Sequence, residues 1–231
     1  MWRFIPFGRK VLHGMYVPHD FVENERQFIE GFIRKHAFGA LVSYDGNRPV
    51  ATQLLFHLSA AGSGEMQLAG HMARLNPQWR TFESSKEVLA LFQGPHAYVS
   101  AAWYSVPSAP TWNYVTVQAY GHVEIIEDRT ELFEVLKALV DSQERDSERD
   151  QGYRIESLSA DLQANMMNAV VGFRIVVSRV DCAAKLSQNR NGRDYDIIVE
   201  RLKERGDRDS AAVAEEMERR RARRNTPPQQ Q

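Results

Sequence analysis

The stretch GHMARLNPQW, residues 70 to 79, concentrates hydrogen-bond donors between an apolar run and the start of a helix. His71 supplies an imidazole, and Arg74 supplies a planar guanidinium fork that matches the oxygens of a phosphate or a carboxylate. Asn76 followed by Pro77 is typical of an N-cap and a first helical residue. Because the first amides of a helix are unpaired and face outward, the stretch predicts an anion site. A capped helix beside a solvated arginine explains the same residues about equally well.

Two further stretches are rich in aromatic residues, FQGPHAYVSAAWY at 92 to 104 and TWNYVTV at 111 to 117. Gln93, Asn113 and Gln118 place amides beside them. Aromatic walls with a few amides are suited to hold a flat heteroaromatic ring. Aromatic residues on strands more often belong to a core or an interface, so a purely structural role is the stronger alternative to a ligand pocket. The aromatic residues concerned are Tyr98, Trp103, Tyr104, Trp112 and Tyr114.

The stretch KLSQNR, residues 185 to 190, is strongly polar although it follows a strand. Lys185, Gln188 and Arg190 are spread over these six residues. A soluble loop accounts for such a composition. Beside an aromatic pocket the same side chains supply hydrogen bonds to the edge of a ligand, or to a ligand held by a partner subunit.

The elements that must position these residues follow from hydrophobic periodicity. Residues 111 to 126 show the clearest alternation of a strand, and Asp128 with Glu131 has the form of a capping box. The pattern predicts an α+β fold, an antiparallel barrel with helices packed outside. The predicted strands are 38–44, 48–58, 65–69, 88–92, 96–104, 111–126 and 171–177. The predicted helices are 23–36, Asn76 onward through Phe82, 128–140, 155–169, 194–205 and 210–224.

Length and composition limit the classes of protein to which the chain can belong. The chain has 231 residues, a formal charge of -1 and one cysteine, Cys182, which excludes an internal disulfide and suits a reducing compartment. We expect a cytoplasmic protein, because no apolar run is long enough to cross a bilayer and the start does not have the form of a signal peptide. The histidines lack the local spacing of metal ligands, so no metal site is expected. No glycine-rich loop or parallel βαβ pattern supports a dinucleotide site.

Five motifs together resemble the PaiB-type family of FMN-binding negative transcriptional regulators. In chain order they are MYVPHDF, GHMARLNPQW, VLALFQGPHAYVSAAWY, PTWNYVTVQAYG and KLSQNR. The resemblance covers about residues 15 to 205. It implies the split β-barrel of the pyridoxamine-phosphate-oxidase-like flavoproteins, with FMN bound near the interface of a homodimer.

The resemblance also implies a division of the flavin site. The phosphate of FMN would meet His71, Arg74 and the helix that begins at Asn76. The isoalloxazine ring would lie against the strands around Thr52 to Leu54 and Gln93. Lys185, Gln188 and Arg190 would approach the ring from the other subunit.

Two segments lie outside the resemblance. Residues 1 to 14 are expected to be an N-terminal extension, and residues 206 to 231 a charged helical tail with a disordered end. The run RRRARR at 219 to 224 is a candidate nucleic-acid patch. Glutamates precede it and no recognisable reader motif accompanies it, so direct DNA contact stays open without support. We expect FMN binding and dimerisation to persist without residues 207 to 231.

The sequence is consistent with three functions. The first is an FMN-binding regulatory or sensor protein. The second is a flavin-dependent oxidoreductase that acts on a small molecule with NAD(P)H, in which FMN carries the redox chemistry. The third is a barrel that has kept the fold and lost the flavin. The sequence leaves open whether the protein is an enzyme.

Overall fold

Seven antiparallel strands dominate the computed structural model, which describes residues 14–60, 65–144 and 153–225. Their order in the sheet is β2-β1-β5-β6-β7-β4-β3. Strands β6 and β7 pair along almost their whole length and form the longest strand pair of the sheet. The strands are β1 Phe38–Tyr44, β2 Pro49–Leu55, β3 His57–Ala60, β4 Met66–Ala73, β5 Glu87–Val99, β6 Thr111–Ile126 and β7 Val170–Lys185.

The chain itself requires the sheet to close. Strands β2 and β3 lie at opposite ends of the strand order, yet only Phe56 separates them in the sequence. Two edges joined by one residue must meet in space, so the sheet curls into a barrel. Phe56 fills the interior with its ring 5.2 Å from that of Phe92 and 6.1 Å from that of Phe173. Closure thus combines short connectivity with aromatic packing.

Five α-helices of the described segments pack on the outside of the barrel. α1 buries Ile29, Phe32 and Ile33 against it, and α2 forms a smaller cluster with Ile126 and Ile155. α4 and α5 form an antiparallel hairpin. The helices are α1 Arg26–Lys35, α2 Arg129–Glu144, α3 Ala160–Ala169, α4 Gly192–Arg205 and α5 Arg208–Asn225.

The α+β barrel predicted from the sequence is therefore present, with corrections to single elements. The predicted strand 48–58 is interrupted at Phe56, and the predicted strands 88–92 and 96–104 are one strand, β5. Gly94 and Pro95 do not end β5, because they lie at a register shift that the strand absorbs as a bulge. β7 continues eight residues beyond the predicted end at 177.

The segment after residue 205 is part of the same core. Val213, Ala214 and Met217 of α5 are fully buried in the main hydrophobic cluster together with Ile33 and Val117. The boundary drawn before residue 206 therefore does not separate two packing units, and the expectation that residues 207–231 are dispensable loses its basis. Charged residues at the surface positions of α5 conceal its apolar stripe in the composition. Residues 1–13 and 226–231, which carry the predicted extension and the predicted disordered end, lie outside the described segments.

Candidate functional site

A short 3₁₀ helix, Pro77–Glu83, follows β4 and is held to the barrel by one buried side chain. Gln78 is 1% exposed, and its amide nitrogen donates to the carbonyl of Leu41 at 2.9 Å, to Ser43 Oγ at 3.1 Å and to the carbonyl of Val50 at 3.2 Å. These bonds fix the helix against the β1–β2 hairpin. The helix predicted to begin after Asn76 is thus present but has 3₁₀ rather than α geometry.

Asn76 and Thr52 are brought together by this anchor. The Asn76 side chain accepts from the amide of Gln78 at 3.0 Å, which is the predicted N-cap, and donates to Thr52 Oγ1 at 2.9 Å. Thr52 Oγ1 in turn donates to Gln78 Oε1 at 2.5 Å. Residues that lie far apart in the sequence therefore form one hydrogen-bonded triad at the end of β4.

Arg74 leaves the end of β4 and reaches the start of β7. Its Nε donates to the carbonyl of Asn168 at 2.8 Å and its Nη2 to the carbonyl of Val170 at 2.7 Å. A guanidinium has five N–H donors, so these bonds orient the group and leave further donors for an anion. The Trp79 indole donates to the carbonyl of Arg74 at 3.0 Å and closes the turn.

His71 lies on β4, opposite Gly172 of β7. The alternation of the strand places Met72 in the core and His71 on the other face, where it is half-buried. Burial lowers the pKa of His71 below its ordinary value, which favours the neutral imidazole. Its Nδ1 is buried and has no hydrogen-bond partner among the described residues. An unpaired buried nitrogen beside Arg74 fits an oxygen-rich ligand. We call Thr52, His71, Arg74 and Asn76 the β4 cluster.

The residues predicted to line one aromatic pocket lie on both faces of the sheet. Asn113 is in the core and accepts from Ser187 Oγ at 3.0 Å, and Tyr104 lies under Arg190. An open cleft of about 400 Å³ remains on the outer face at the β5 bulge. Gln93, which the resemblance places near the flavin ring, lies in this cleft. The cleft is lined by Gln93, His96, Trp112, Tyr114 and Thr116.

His96 is a residue of this cleft that the sequence reasoning did not single out. Its ring lies 5.7 Å from that of Trp112, and its Nδ1 is buried without a partner in the described segments. The bulge turns it onto the same face as Gln93. A histidine directly after a Gly-Pro pair inside a strand pattern is the signal that points to such a bulge.

Lys185, Gln188 and Arg190 lie together at the far end of β7, and we call them the β7 cluster. Lys185 Nζ donates to Thr111 Oγ1 at 2.6 Å, and burial lowers the pKa of this lysine. Gln188 donates to the carbonyls of Ala184 at 2.6 Å and Asp20 at 2.9 Å. Arg190 lies 4.2 Å from the centre of the Tyr104 ring. These contacts place three donors at one end of the barrel.

The two clusters are at opposite ends of β7. His71 is paired with Gly172, and Lys185 follows thirteen residues later on the same strand. At about 3.3 Å per residue, this stretch spans about 40 Å when extended. Within one chain Thr52 and Asn76 bond to each other, and Arg74 follows the end of β4 and bonds to Asn168 and Val170. Lys185, Gln188 and Arg190 lie at the other end of β7, so the structure of one chain does not bring the two sets to one place.

The basic run of α5 is neutralised where the structure describes it. Arg220 donates to Glu23 at 2.6 Å with both side chains nearly buried, and Arg221 pairs with Asp196. Arg219 and Arg223 also pair with carboxylates, at 2.9 Å and 3.3 Å for their nearest partners. A patch that binds DNA presents unpaired cations to the phosphate backbone, and these ion pairs reduce that capacity.

Two other expectations concern metals and membranes. The described segments contain no group of three or more histidine, cysteine, aspartate or glutamate side chains that converge on one point. No helix in these segments has both the length and the apolar character that a membrane crossing requires.

The closed antiparallel sheet with external helices defines an α+β fold of the split-barrel type. A family described as "Putative FMN-binding domain" matches residues 15–179. The chain is 38% identical to protease synthase and sporulation protein PAI 2 of Bacillus subtilis (strain 168) over 204 residues, which cover 88% of this chain and 97% of that relative. The chain belongs to this FMN-binding family, the PaiB type that the motifs indicate, and its cofactor is FMN.

Solved structures agree on the fold. The flavocytochrome Anf3 from Azotobacter vinelandii superimposes with a TM-score of 0.54 at 14% identity, covering 77% of this chain and 76% of that chain. The FAD and heme binding protein from Mycobacterium smegmatis gives a TM-score of 0.52 at 13% identity, with 71% and 73% covered. At these identities the likeness establishes the barrel architecture.

Proposed function

We propose that the protein is an FMN-binding regulator that holds the flavin between two copies of itself. The observation that carries this proposal is the separation of the two donor clusters along β7. An extended FMN molecule is shorter than the distance between them, so one chain cannot use both clusters on one flavin. A symmetric dimer brings the β7 cluster of one copy to the β4 cluster of the other.

The phosphate end of the flavin fits the β4 cluster. The remaining donors of Arg74 form charge-assisted hydrogen bonds with phosphate oxygens, and the bonds to Asn168 and Val170 hold the guanidinium in position. The unpaired nitrogen of His71 gains a partner there. The triad of Thr52, Asn76 and Gln78 keeps the turn after β4 rigid, so little ordering is required when the ligand binds.

The ring of the flavin fits the cleft at the β5 bulge of the copy that supplies the β7 cluster. This cleft lies at the same end of the barrel as that cluster, because its lining residue Tyr114 pairs with Lys185. Gln93 and Thr116 offer polar atoms to the ring edge, and Trp112 and Tyr114 offer aromatic surface. When bound, FMN supplies reversible electron transfer at this ring. The cleft supplies orientation and shelter from water, and its lining in the described chain contains amide, hydroxyl, imidazole and aromatic groups but no carboxylate.

A regulatory role is supported by the relative named as a sporulation protein, and such a role reaches this chain by analogy. One observation favours the second candidate, a flavin-dependent oxidoreductase. His96 has a buried unpaired nitrogen in the cleft and is able to exchange a proton with a bound substrate. Steady oxidation of NAD(P)H by the flavin-loaded protein would favour this candidate over a regulator.

The flavin site is tested by titrating the purified protein with FMN. We expect Arg74→Ala to weaken binding by about 1.5–3 kcal/mol, the usual scale of a hydrogen bond to a charged group. Arg80→Ala is the matched control, because Arg80 is exposed and lies over Trp79 instead. Equal affinities for the wild type and Arg74→Ala would refute the placement of the phosphate.

The shared site is tested by mixing two defective variants. Arg74→Ala and Lys185→Ala damage different clusters, so a mixed dimer contains one doubly damaged site and one intact site. After exchange of subunits we expect high-affinity FMN binding to return at about one site in four. A site within one copy would recover none, and light scattering reports whether the dimer forms.

A further inference from the structure

A small pocket between α4 and α5 is lined by donors and contains no carboxylate among its described lining residues. Its volume is about 160 Å³, which suits a single small group rather than a whole cofactor. Three of its lining residues are arginines. The lining consists of Gln188, Arg190, Gly192, Tyr195, Arg220 and Arg221.

The helical hairpin explains why these arginines converge. α4 begins at Gly192, Arg220 and Arg221 lie in the C-terminal part of α5, and the turn at Gly206 folds the two helices antiparallel. The end of α5 therefore lies beside the N-terminal end of α4, which carries a partial positive charge. Three guanidinium groups at the positive end of a helix repel one another unless negative charge is present nearby.

The carboxylates near these arginines leave one donor unpaired. Glu23 accepts from Arg220 Nη1 at 2.6 Å, and Asp196 pairs with Arg221. Arg220 is 8% exposed, yet its Nε is buried and has no partner among the described residues. Leaving such a charged donor unpaired is costly, and this buried group lines the pocket.

We propose that this arginine pocket binds a phosphate-class oxyanion, either inorganic phosphate or the phosphate group of an organic monoester. Guanidinium forks match the tetrahedral oxygens of phosphate, and Arg190 of the loop after β7 faces the same pocket as Arg220 and Arg221 of α5. Gly192 adds open space, because a Cβ atom there would meet nothing within 4 Å. The pocket shares Gln188 and Arg190 with the β7 cluster, but the proposal goes beyond the flavin site, since Arg220 and Arg221 belong to neither donor cluster.

The test is calorimetric titration of the FMN-loaded protein with inorganic phosphate at constant ionic strength, with chloride as the reference salt. We expect saturable binding of one phosphate per chain. Arg221→Gln removes one exposed guanidinium of the pocket and should weaken phosphate binding about tenfold or more, the scale of one charged hydrogen bond. Arg220→Lys keeps a cation against Glu23 but removes the buried Nε, and should weaken binding similarly.

Arg219→Gln is the matched control, because Arg219 lies on the same helix and pairs with Glu215 but does not line the pocket. Its affinity for phosphate should stay within about twofold of the wild type, as for exposed ion pairs. Equal weakening by Arg219→Gln and Arg221→Gln would show a diffuse positive field and overturn the proposal. Absence of binding above the chloride reference would also overturn it.

Two further arms separate the sources of the phosphate group and the two sites. Glycerol phosphate binding more tightly than inorganic phosphate assigns the pocket to an organic monoester, and the reverse order assigns it to the free ion. Flavin absorbance after phosphate addition should show FMN still bound. Release of FMN would mean that the pocket holds the flavin's own phosphate, which overturns a second site. Failure of the wild type to retain FMN contradicts the proposed function alone, because the phosphate titration can then be repeated on the flavin-free protein.

Discussion

The two ends of strand β7 carry donor clusters that are built in different ways. The β4 cluster depends on a side chain from a separate element, since the Gln78 side chain of the 3₁₀ helix bonds to Leu41 of β1 and to Val50 and Thr52 of β2. The β7 cluster starts from a local turn, where Gln188 bonds to Ala184 and Leu186. Its long-range bonds go to separate residues, from Lys185 to Thr111 and from Gln188 to Asp20. One end is therefore an assembly around one buried side chain, and the other is a local turn with separate bonds to distant residues.

The local turn contains strain that the assembly around Gln78 lacks. Ser187 has φ 58°, a left-handed conformation that is uncommon for a residue with a side chain. It is buried, and its Oγ donates to Asn113 Oδ1 at 3.0 Å, which stabilises the conformation. Strain fixed by a buried hydrogen bond is found where a turn must present its neighbours in one orientation. At this end the presented neighbours are Lys185, Gln188 and Arg190.

Replacement of Gln78 should produce the largest effect. Gln78→Ala leaves the carbonyls of Leu41 and Val50 without their amide donor inside the protein. We expect a loss of about 3 kcal/mol in the free energy of unfolding, measured by urea denaturation. FMN affinity should fall as well, because Thr52 loses its acceptor, Gln78 Oε1, and the 3₁₀ helix loses its anchor to the β1–β2 hairpin.

Gln53→Ala is the control for this change, since Gln53 is an exposed residue one position from Thr52 on β2. Its unfolding free energy should stay within about 0.5 kcal/mol of the wild type. If both variants unfold alike, the β4 cluster is not an assembly around Gln78 and the contrast between the two ends disappears.

Replacement of Gln188 should produce a smaller effect at the opposite end. Gln188→Ala removes bonds to the carbonyls of Ala184 and Asp20, but the side chain is only half-buried and water can replace part of them. We expect a loss of about 1 kcal/mol in urea denaturation. A loss as large as that of Gln78→Ala would show that the β7 turn also supports distant elements.

This difference also explains what the sequence could and could not predict. The N-cap at Asn76 and the capping interaction between Asp128 and Glu131 are local, and both are present in the structure. Gln78 gives no signal in the sequence, because its partners come from residues 26 to 37 positions away. Periodicity describes one element at a time and is silent about the partners that close a barrel.

The same limit applies to α5. Its composition is dominated by charge, and its apolar stripe of Val213, Ala214 and Met217 is short. The sequence pattern of a single helix does not show which of its charged residues form ion pairs with residues of another element. The pairing of Arg220 with Glu23 joins residues 197 positions apart, so only the folded chain reveals it.

The pH dependence of stability tests the β4 cluster more finely. Burial lowers the folded-state pKa of His71, and also that of His36, below the ordinary value of 6.5. Between the lowered pKa and 6.5 the unfolded chain binds more protons, so stability falls as pH decreases through this window. We expect a shallower fall in His71→Gln than in the wild type, measured as the urea midpoint against pH.

FMN should change this dependence if its phosphate lies at His71. A nearby dianion favours the protonated imidazole and raises its pKa, so the flavin-loaded protein should lose less stability on acidification. The effect on FMN affinity should be an increase of less than about tenfold as pH falls through the window. Identical pH profiles with and without FMN would place the phosphate elsewhere.

The smallest expected effect is near the end of β7, at Cys182, three residues before Lys185. Cys182 is 3% exposed and paired opposite Val117, and burial raises the pKa of its thiol to about 12, with Glu23 adding to the rise. A thiol that stays protonated and enclosed is a poor nucleophile. We expect no reaction with Ellman's reagent at mildly alkaline pH until the protein is denatured, when one thiol per chain reacts.

A lack of reaction at Cys182 in the native protein would show that β6 and β7 stay paired beside the β7 cluster. A flavin shared between two copies requires that β6 and β7 stay paired, because a continuous stretch of strand about 40 Å long then separates the two clusters. Rapid labelling of Cys182 in the native protein would mean that these strands separate locally. One chain could then bring its two ends closer together, and the need for a partner subunit would no longer follow from the geometry.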